Sequence, residues 1–153
     1  MDAVDRKILA LLQEDAALSI EKIATKVHLS STPCWKRIRR LEKDGVIKKR
    51  VALLDAEKVG AGVTVFVAIK TNQHNREWLD HFASSVEDMP EILDFYRMSG
   101  EIDYLLRVVV SDIAAFDDFY QRLISRVPLS DVTSSFAMEK IKHTTALPIA
   151  TTE

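Results

Sequence analysis

The segment of residues 30–45 combines a predicted helix with an unusually high density of basic side chains. Ser and Thr near its start favour a helix N-terminus, and Pro33 fits the first turn, where its missing N–H costs little. Gly45 is the residue type usually found just past a helix end. At about 100° per residue, three residues form one apolar stripe: Cys34, Ile38 and Leu41. The opposite face presents cations and a hydroxyl, which is typical of a helix that enters the major groove of DNA. A solvated basic face is the alternative interpretation.

Two shorter helices are predicted before this segment. Ser19 can cap a helix whose apolar residues recur at i, i+3, i+4 and i+7: Ile20, Ile23, Ala24 and Val27. Residues 28–30 then provide a turn of the length used in helix-turn-helix units. Asp2 or Asp5 can begin another helix with its own apolar stripe. We therefore predict a winged-helix-like, helix-turn-helix DNA-binding domain over residues 1–50, in which the extended segment 46–54 supplies a wing or arm.

The charge of the chain changes sign at the end of this domain. Residues 1–50 hold 12 Lys and Arg against 7 Asp and Glu, a net +5, whereas residues 51–153 hold 9 against 16, a net −7. Such asymmetry indicates a cationic DNA-binding module joined to an acidic module with another task. We predict a linker strand over residues 51–62 and a second domain over residues 63–153.

The second domain is predicted to have the element order β-α-β-β-α-β. Its strands and helices are expected at residues 63–70, 75–88, 92–98, 103–110, 111–127 and 131 to about 142. This order is typical of the ferredoxin-like sandwich, so the fold class of the whole chain is α+β. Val65, Val67 and Ile69 fall on one side of the first strand, while Phe66 and Ala68 fall on the other. A small sheet with apolar residues on both sides indicates that a second subunit covers one of them, and we predict a homodimer.

Several classes of function find no support in the sequence. A single cysteine excludes an intrachain disulfide and fits a reducing cytoplasm. The four histidines are scattered without metal-ligand spacing, and neither a nucleophile elbow nor a glycine-rich phosphate loop is found. No apolar run is long enough to span a membrane. We expect neither an enzyme nor a bound cofactor or metal ion.

Short motifs along nearly the whole chain carry a family resemblance. They are Asp5-Arg6-Lys7-Ile8-Leu9, Leu29-Ser-Ser-Thr-Pro-Cys-Trp-Lys-Arg-Ile-Arg-Arg-Leu-Glu42, Gly45-Val46-Ile47, Leu53-Leu54-Asp55, Gly100 and Asp103-Tyr104. Their order and spacing resemble the Lrp/AsnC family, the leucine-responsive or feast/famine regulators of bacteria and archaea. The resemblance implies a transcriptional regulator of the cytoplasm, associated with the nucleoid. It also implies that residues 63–153 form a RAM domain, which dimerises through its sheet, and that dimers assemble further, commonly to octamers.

The resemblance also implies an effector site. Members of this family bind small effectors, usually amino acids, between RAM domains near the turn that joins the middle strands. Carried over to this chain, that turn supplies Met98, Ser99, Gly100 and Asp103. Thr133, Ser134 and Ser135 of the last strand would form the wall contributed by a neighbouring subunit. Gly100 would allow backbone N–H groups to approach a carboxylate, and Asp103 could accept hydrogen bonds from an ammonium group.

Roles on double-stranded DNA follow from the faces of the basic helix. Its outward side carries Thr32, Pro33, Lys36 and Arg40, with Arg37 at the edge. Arg and Lys are the residues that most often bind guanine O6 and N7, so we predict base readout by Lys36, Arg37 and Arg40. We predict phosphate contacts by the cations near and beyond the helix end: Lys43, Lys48, Lys49 and Arg50. Trp35 flanks the apolar stripe and is predicted to pack between helices.

Two other functions fit parts of the same pattern. An effector-independent architectural protein of the chromosome would have the same fold, and its DNA affinity would be indifferent to amino acids. A regulatory subunit that binds a small molecule could use its helix-turn-helix to contact protein, and its binding would then lack a steep salt dependence. The outward cluster of cations favours DNA over protein as the partner.

Overall fold

The computed structural model describes residues 1–150 and divides into two compact units. The N-terminal unit contains residues 1–53 together with the final described segment, residues 141–150, and the C-terminal unit contains residues 54–140. The sequence placed the final segment with the second domain. In the structure, the backbone of Leu147 forms hydrogen bonds with the Gln13 side chain of the first helix, and Ile149 packs against the helical core.

Three helices build the N-terminal unit, as predicted. They are α1 (Ala3–Glu14), α2 (Ile20–Lys26) and α3 (Ser31–Lys43). Asp2 and Asp5 form a capping box on α1, in which each carboxylate accepts from the backbone N–H of the other residue. The Ser19 side chain caps α2. The apolar stripes of the three helices meet in one core, in which Ile8, Ile23 and Cys34 are completely buried.

The chain bends at Val46 and Ile47 and then has no regular secondary structure over residues 48–55, within the segment predicted to be extended. The backbone N–H groups of Val46 and Ile47 both donate to the carbonyl of Leu41, which folds the chain back onto the helix end. Within residues 51–62 the structure has turns and no strand. The predicted linker strand is replaced because Asp55 accepts hydrogen bonds from nearby backbone N–H groups through its carbonyl and its carboxylate. No partner strand is needed to satisfy that backbone.

The C-terminal unit has the predicted order of elements. Its strands are β1 (Val63–Lys70), β2 (Ile92–Arg97), β3 (Tyr104–Val110) and β4 (Asp131–Phe136), and its helices are α4 (Arg76–Val86) and α5 (Ile113–Arg126). The sheet is antiparallel with strand order β2-β3-β1-β4. Strand β4 ends at Phe136, earlier than predicted.

One face of this sheet is covered by α4 and α5, and the other is open. Val65, Val67 and Ile69 of β1 are completely buried with Phe82 of α4 and Phe119 of α5. The alternate residues of β1 and their neighbours on β2 and β3 form the open face, on which aromatic and aliphatic side chains remain partly exposed. The two-sided apolar pattern expected of β1 is thus confirmed.

Candidate nucleic-acid interface and effector site

The outward face of α3 presents the residues predicted to meet DNA. Thr32, Pro33, Lys36 and Lys43 are exposed there. Neither Lys36 nor Lys43 forms an ion pair within residues 1–150, so both ammonium groups are available to an anionic partner. Lys48 and Lys49, just beyond the helix, are also exposed. The exposed lysines therefore extend from the middle of α3 to the segment that follows it.

Arg37 and Arg40 are held by carboxylates at the start of α1. Arg37 Nη1 lies 2.6 Å from Asp2 Oδ2 and 2.8 Å from Asp5 Oδ1, and Arg40 Nη2 lies 2.6 Å from Asp5 Oδ2. Asp5 is completely buried, while Arg40 remains half exposed and Arg37 less so. Two of the three cations predicted to read bases thus already bind protein, and they fasten α3 to α1.

The two carboxyls are held in their charged forms. A backbone hydrogen bond from Asp5, together with Arg37, lowers the pKa of Asp2 to about 2. Burial alone would raise the pKa of Asp5, but the hydrogen bond from Asp2 N–H and the Arg37 guanidinium outweigh it, so that this pKa lies below its usual range. The network is therefore fully ionised at neutral pH.

A second group of cations is anchored at the end of α3. Glu42 lies 3.0 Å from Arg39 Nη1 and 3.2 Å from Arg50 Nη2, so one carboxylate binds both. Arg50 was predicted to meet phosphate, and this contact positions it beside the helix end. Arg39 and Arg50 remain exposed while Glu42 is partly buried, and an ion pair at the surface is weak enough to exchange for a phosphate.

Trp35 does not pack between helices as the sequence predicted. The indole is 50 % exposed, whereas Cys34, its neighbour in the chain, is completely buried. Burial raises the pKa of the Cys34 thiol, which agrees with its prediction as a core residue. The angular position of Trp35, about 100° from the centre of the apolar stripe, was the only sequence signal for its exposure.

The turn between β2 and β3 contains four residues predicted to bind an effector. Gly100 adopts a φ of +121°, a backbone conformation that favours glycine. Met98 N–H donates to the carbonyl of Asp103 across the turn. The Asp103 carboxylate accepts from Thr71 N–H at 2.8 Å, and Asp103 Oδ1 lies 3.6 Å from His74 Nδ1. Asp103 therefore connects the turn to the segment that leads into α4.

A cavity of about 160 Å³ lies beside this turn. Its lining residues are His74, Asn75, Arg76, Leu79, Arg97, Met98, Asp103 and Tyr104. Met98 and Asp103 were predicted, whereas Ser99 and Gly100 lie outside the lining. Sequence reasoning missed the cationic part of the wall, because Arg76 and Arg97 come from different elements. The cavity also receives the N-terminus of α4, where partial positive charge favours anions.

The three residues predicted from the last strand do not share one face. Thr133 and Ser135 pair with Ala68 and Phe66 on the open face, whereas Ser134 pairs with Val67 on the helix-covered face. Strand β4 lies at the opposite edge of the sheet from β2. Within one chain, therefore, these residues are not brought to the cavity.

No group of three or more His, Cys, Asp or Glu side chains within residues 1–150 is arranged to hold a metal ion. No helix among the same residues is both long and apolar enough to cross a membrane.

Comparisons with known proteins agree with this architecture. The family model of the Lrp/AsnC ligand binding domain matches residues 64–147, and that of a winged helix-turn-helix DNA-binding domain matches residues 1–48. The DNA-binding transcriptional activator DecR of Escherichia coli K12 is 58 % identical over 150 residues, covering 97 % of this chain and 99 % of DecR.

Solved structures of transcriptional regulators also match the chain over nearly its full length. An AsnC family transcriptional regulator from Agrobacterium tumefaciens has a TM-score of 0.94 at 59 % identity, with 97 % of each chain covered. A transcriptional regulator from Neisseria meningitidis, in complex with L-Met, has a TM-score of 0.92 at 36 % identity, with 98 % of this chain and 97 % of that chain covered.

A helix-turn-helix domain followed by a ligand-binding sheet domain defines a DNA-binding transcriptional regulator. The matches over nearly the full length make the assignment specific: the chain belongs to the Lrp/AsnC family. The α+β fold predicted from the sequence is confirmed.

Proposed function

We propose that the protein is a sequence-specific regulator whose DNA binding or oligomeric state responds to an amino acid bound beside the β2–β3 turn. The observation that carries this proposal is the cavity, whose lining includes both Arg76 and Arg97 and the acidic Asp103. An amino acid is a zwitterion and needs both signs of charge within a small volume. The L-Met complex of the Neisseria meningitidis relative supports this class of effector.

Each part of the cavity suits one part of an amino acid. Arg76, Arg97 and the N-terminus of α4 would bind the carboxylate, because guanidinium groups and helix N-termini both favour anions. Asp103 would accept hydrogen bonds from the ammonium group. Leu79 and Met98 would contact an apolar side chain. Gly100 would keep the turn in the conformation that brings Met98 and Asp103 to the cavity.

The neighbouring wall of the site would come from a second subunit. Thr133 and Ser135 lie on the open face of β4, at the edge of the sheet far from the turn. A homodimer formed through the open face, assembling further to an octamer, would bring β4 of one copy towards the turn of another. Effector binding at such a junction would change the packing of subunits and so the spacing of the DNA-binding domains.

We propose that different cations of the N-terminal unit bind different parts of the DNA. Lys36 reads bases together with Thr32 and Pro33, because these side chains lie exposed on the outward face. Arg40, half exposed, reaches the DNA while bound to Asp5, and Arg37 chiefly fixes the helix. Lys43, Lys48, Lys49 and Arg50 bind phosphates. Such a regulator acts in the cytoplasm, at the nucleoid.

A thermal-shift screen against the twenty amino acids tests the effector proposal. A selective effector would raise the melting temperature in proportion to the logarithm of its concentration. The variant Asp103→Asn should lose this response, and so should Gly100→Val, whose side chain is strained at the positive φ. Glu101→Gln is the matched control, since Glu101 is exposed on the same turn but does not line the cavity.

Two results would contradict the proposal. No shift with any amino acid at millimolar concentration would favour the effector-independent architectural protein. An unchanged response in both Asp103→Asn and Gly100→Val would place the effector elsewhere in the molecule.

A further inference from the structure

An exposed tryptophan on α3 has no role in the folded unit that explains its position. The other apolar residues of this helix, Cys34, Ile38 and Leu41, are at most 2 % exposed, whereas Trp35 is 50 % exposed. The helix therefore has a complete core stripe without it. A half-exposed indole keeps much of its apolar surface in contact with water, and tryptophan is a residue type enriched at binding interfaces.

The surroundings of Trp35 indicate what binds there. At about 100° per residue, Trp35 lies on the flank shared by Thr32 and Arg39 and borders Lys36. Arg39 is 64 % exposed, and Lys36 is exposed without an ion pair among residues 1–150. The opposite flank carries Arg37, which is tied to α1. The indole thus lies on the flank of α3 opposite Arg37, with Arg39, which is paired with Glu42, on the same flank and Lys36 next in the chain.

We propose that Trp35 is a specificity-determining residue that packs against the C5-methyl group of a thymine in the major groove. Thymine is the one base whose major-groove edge carries a methyl group, and apolar side chains recognise it by contact. An indole offers a flat apolar surface, which the head group of a lysine or an arginine does not. This inference rests on DNA binding by α3 and adds a base preference that the cations do not supply.

Removing the thymine methyl group tests the contact. A duplex is selected by the wild-type protein from a random library, and each thymine is then replaced in turn by deoxyuridine. We expect one position in each half-site at which the replacement weakens wild-type binding about fourfold, as for the loss of one buried methyl group. Trp35→Ala should bind the two duplexes equally, whereas Trp35→Phe should keep most of the preference because it keeps a ring.

Lys36→Ala is the matched control in this scan. It should bind both duplexes more weakly than the wild type and retain the same preference for thymine over deoxyuridine. The inference is overturned if Trp35→Ala keeps the wild-type preference or if the selected half-sites contain no thymine. A wild-type protein that selects no duplex would contradict DNA binding itself, which is a separate and recognisable failure.

Fluorescence quenching gives a second readout in the wild-type protein. The chain has two tryptophans, and Trp78 is only 8 % exposed, so a quencher in solution reports chiefly on Trp35. Acrylamide is uncharged and does not disturb the binding of cations to phosphates. Quenching should fall by at least half when the selected duplex is bound. Unchanged quenching at saturating duplex would show that Trp35 stays in solvent and would overturn the inference.

Discussion

Two carboxylates at the start of α1 determine which arginines of α3 are available to bind a partner. Asp5 is completely buried and binds Arg37 and Arg40 at once, while Asp2 binds Arg37 from the protein surface. A buried carboxylate needs partners of this kind, because an unpaired charge in a protein core is strongly unfavourable. The basic face of α3 therefore has two parts, one that holds the fold together and one that remains open.

The two parts predict opposite effects of substitution. Arg37→Ala leaves the buried Asp5 with one partner fewer, and we expect the free energy of unfolding to fall by about 1–3 kcal/mol. Lys36→Ala removes an exposed side chain, so unfolding should change by less than about 0.5 kcal/mol. Affinity for a selected duplex should nevertheless fall by about tenfold or more in Lys36→Ala. Urea denaturation and fluorescence anisotropy measure the two quantities. A stable Arg37→Ala, or a Lys36→Ala with full affinity and specificity, would contradict this division.

The ionised capping box predicts a defined response to acid. The pKa of Asp2 is lowered from 3.8 to about 2, so its contribution to stability is present above pH 4 and is lost as the pH falls towards 2. In Asp2→Asn this charge is absent at every pH. The difference in melting temperature between wild type and Asp2→Asn should therefore be constant near neutrality and shrink below pH 4. A difference that does not change with pH would show that the charge of Asp2 does not stabilise the fold.

At the scale of elements, the final segment of the chain completes the N-terminal unit. Leu147 N–H donates to Gln13 Oε1 at 2.6 Å, and Gln13 Nε2 donates to the Leu147 carbonyl at 3.2 Å. Ile149 packs against the helical core, and Arg6 donates to the carbonyl of Ala150. One glutamine thus satisfies both backbone groups of a residue more than a hundred positions away.

Loss of this amide should release the segment without unfolding the helices. We expect Gln13→Ala to lose about 0.5–1.5 kcal/mol of local stability, because both hydrogen bonds disappear together. Trypsin should then cleave after Lys142 several times faster than in the wild type, with α1 still protected from hydrogen exchange. Gln121→Ala is the control, as an exposed glutamine on α5. Equal cleavage rates in wild type and Gln13→Ala would mean that the glutamine does not hold the segment.

The sequence predicted the features that depend on neighbouring residues, and it missed those that depend on contacts between distant parts of the chain. Helix α3 could be predicted, because its apolar stripe and Gly45 are local signals, although its N-cap residue Ser30 forms no side-chain capping hydrogen bond. The position of Trp35 could not, since a flank residue is buried or exposed according to what packs beside it. The association of residues 141–150 with α1 also depends on tertiary contacts. The cavity escaped prediction in part because Arg76 and Arg97 come from different elements, and no local pattern links them.

At the scale of the whole molecule, the open face of the sheet is the surface that most requires a partner. Arg107 and Asp94 form an ion pair near its middle, with Nε and Oδ2 2.5 Å apart, and Phe66 lies directly opposite Arg107 on the adjacent strand. Tyr96 and Leu105 continue the face. An aromatic and aliphatic surface with an internally neutralised charge pair suits contact with a second copy, because pairing in the same chain leaves no net charge to be buried.

This face predicts how assembly and DNA affinity are linked. Phe66→Glu places a carboxylate beside Arg107, so the chain should fold, but it puts a charge into the proposed dimer contact. Sedimentation velocity should show monomers at concentrations where the wild type is a dimer or a larger assembly.

The loss of the dimer should also weaken DNA binding. Because two linked domains bind two half-sites far more tightly than one, affinity for the paired site should fall by about a hundredfold or more. Affinity for a single half-site should stay within about twofold. Ile113→Glu, at an exposed position on α5, is the control and should leave assembly intact. A Phe66→Glu protein that still sediments like the wild type would exclude the open face as the dimer interface. The sheet would then need another partner, since its partly exposed aromatic residues would remain uncovered.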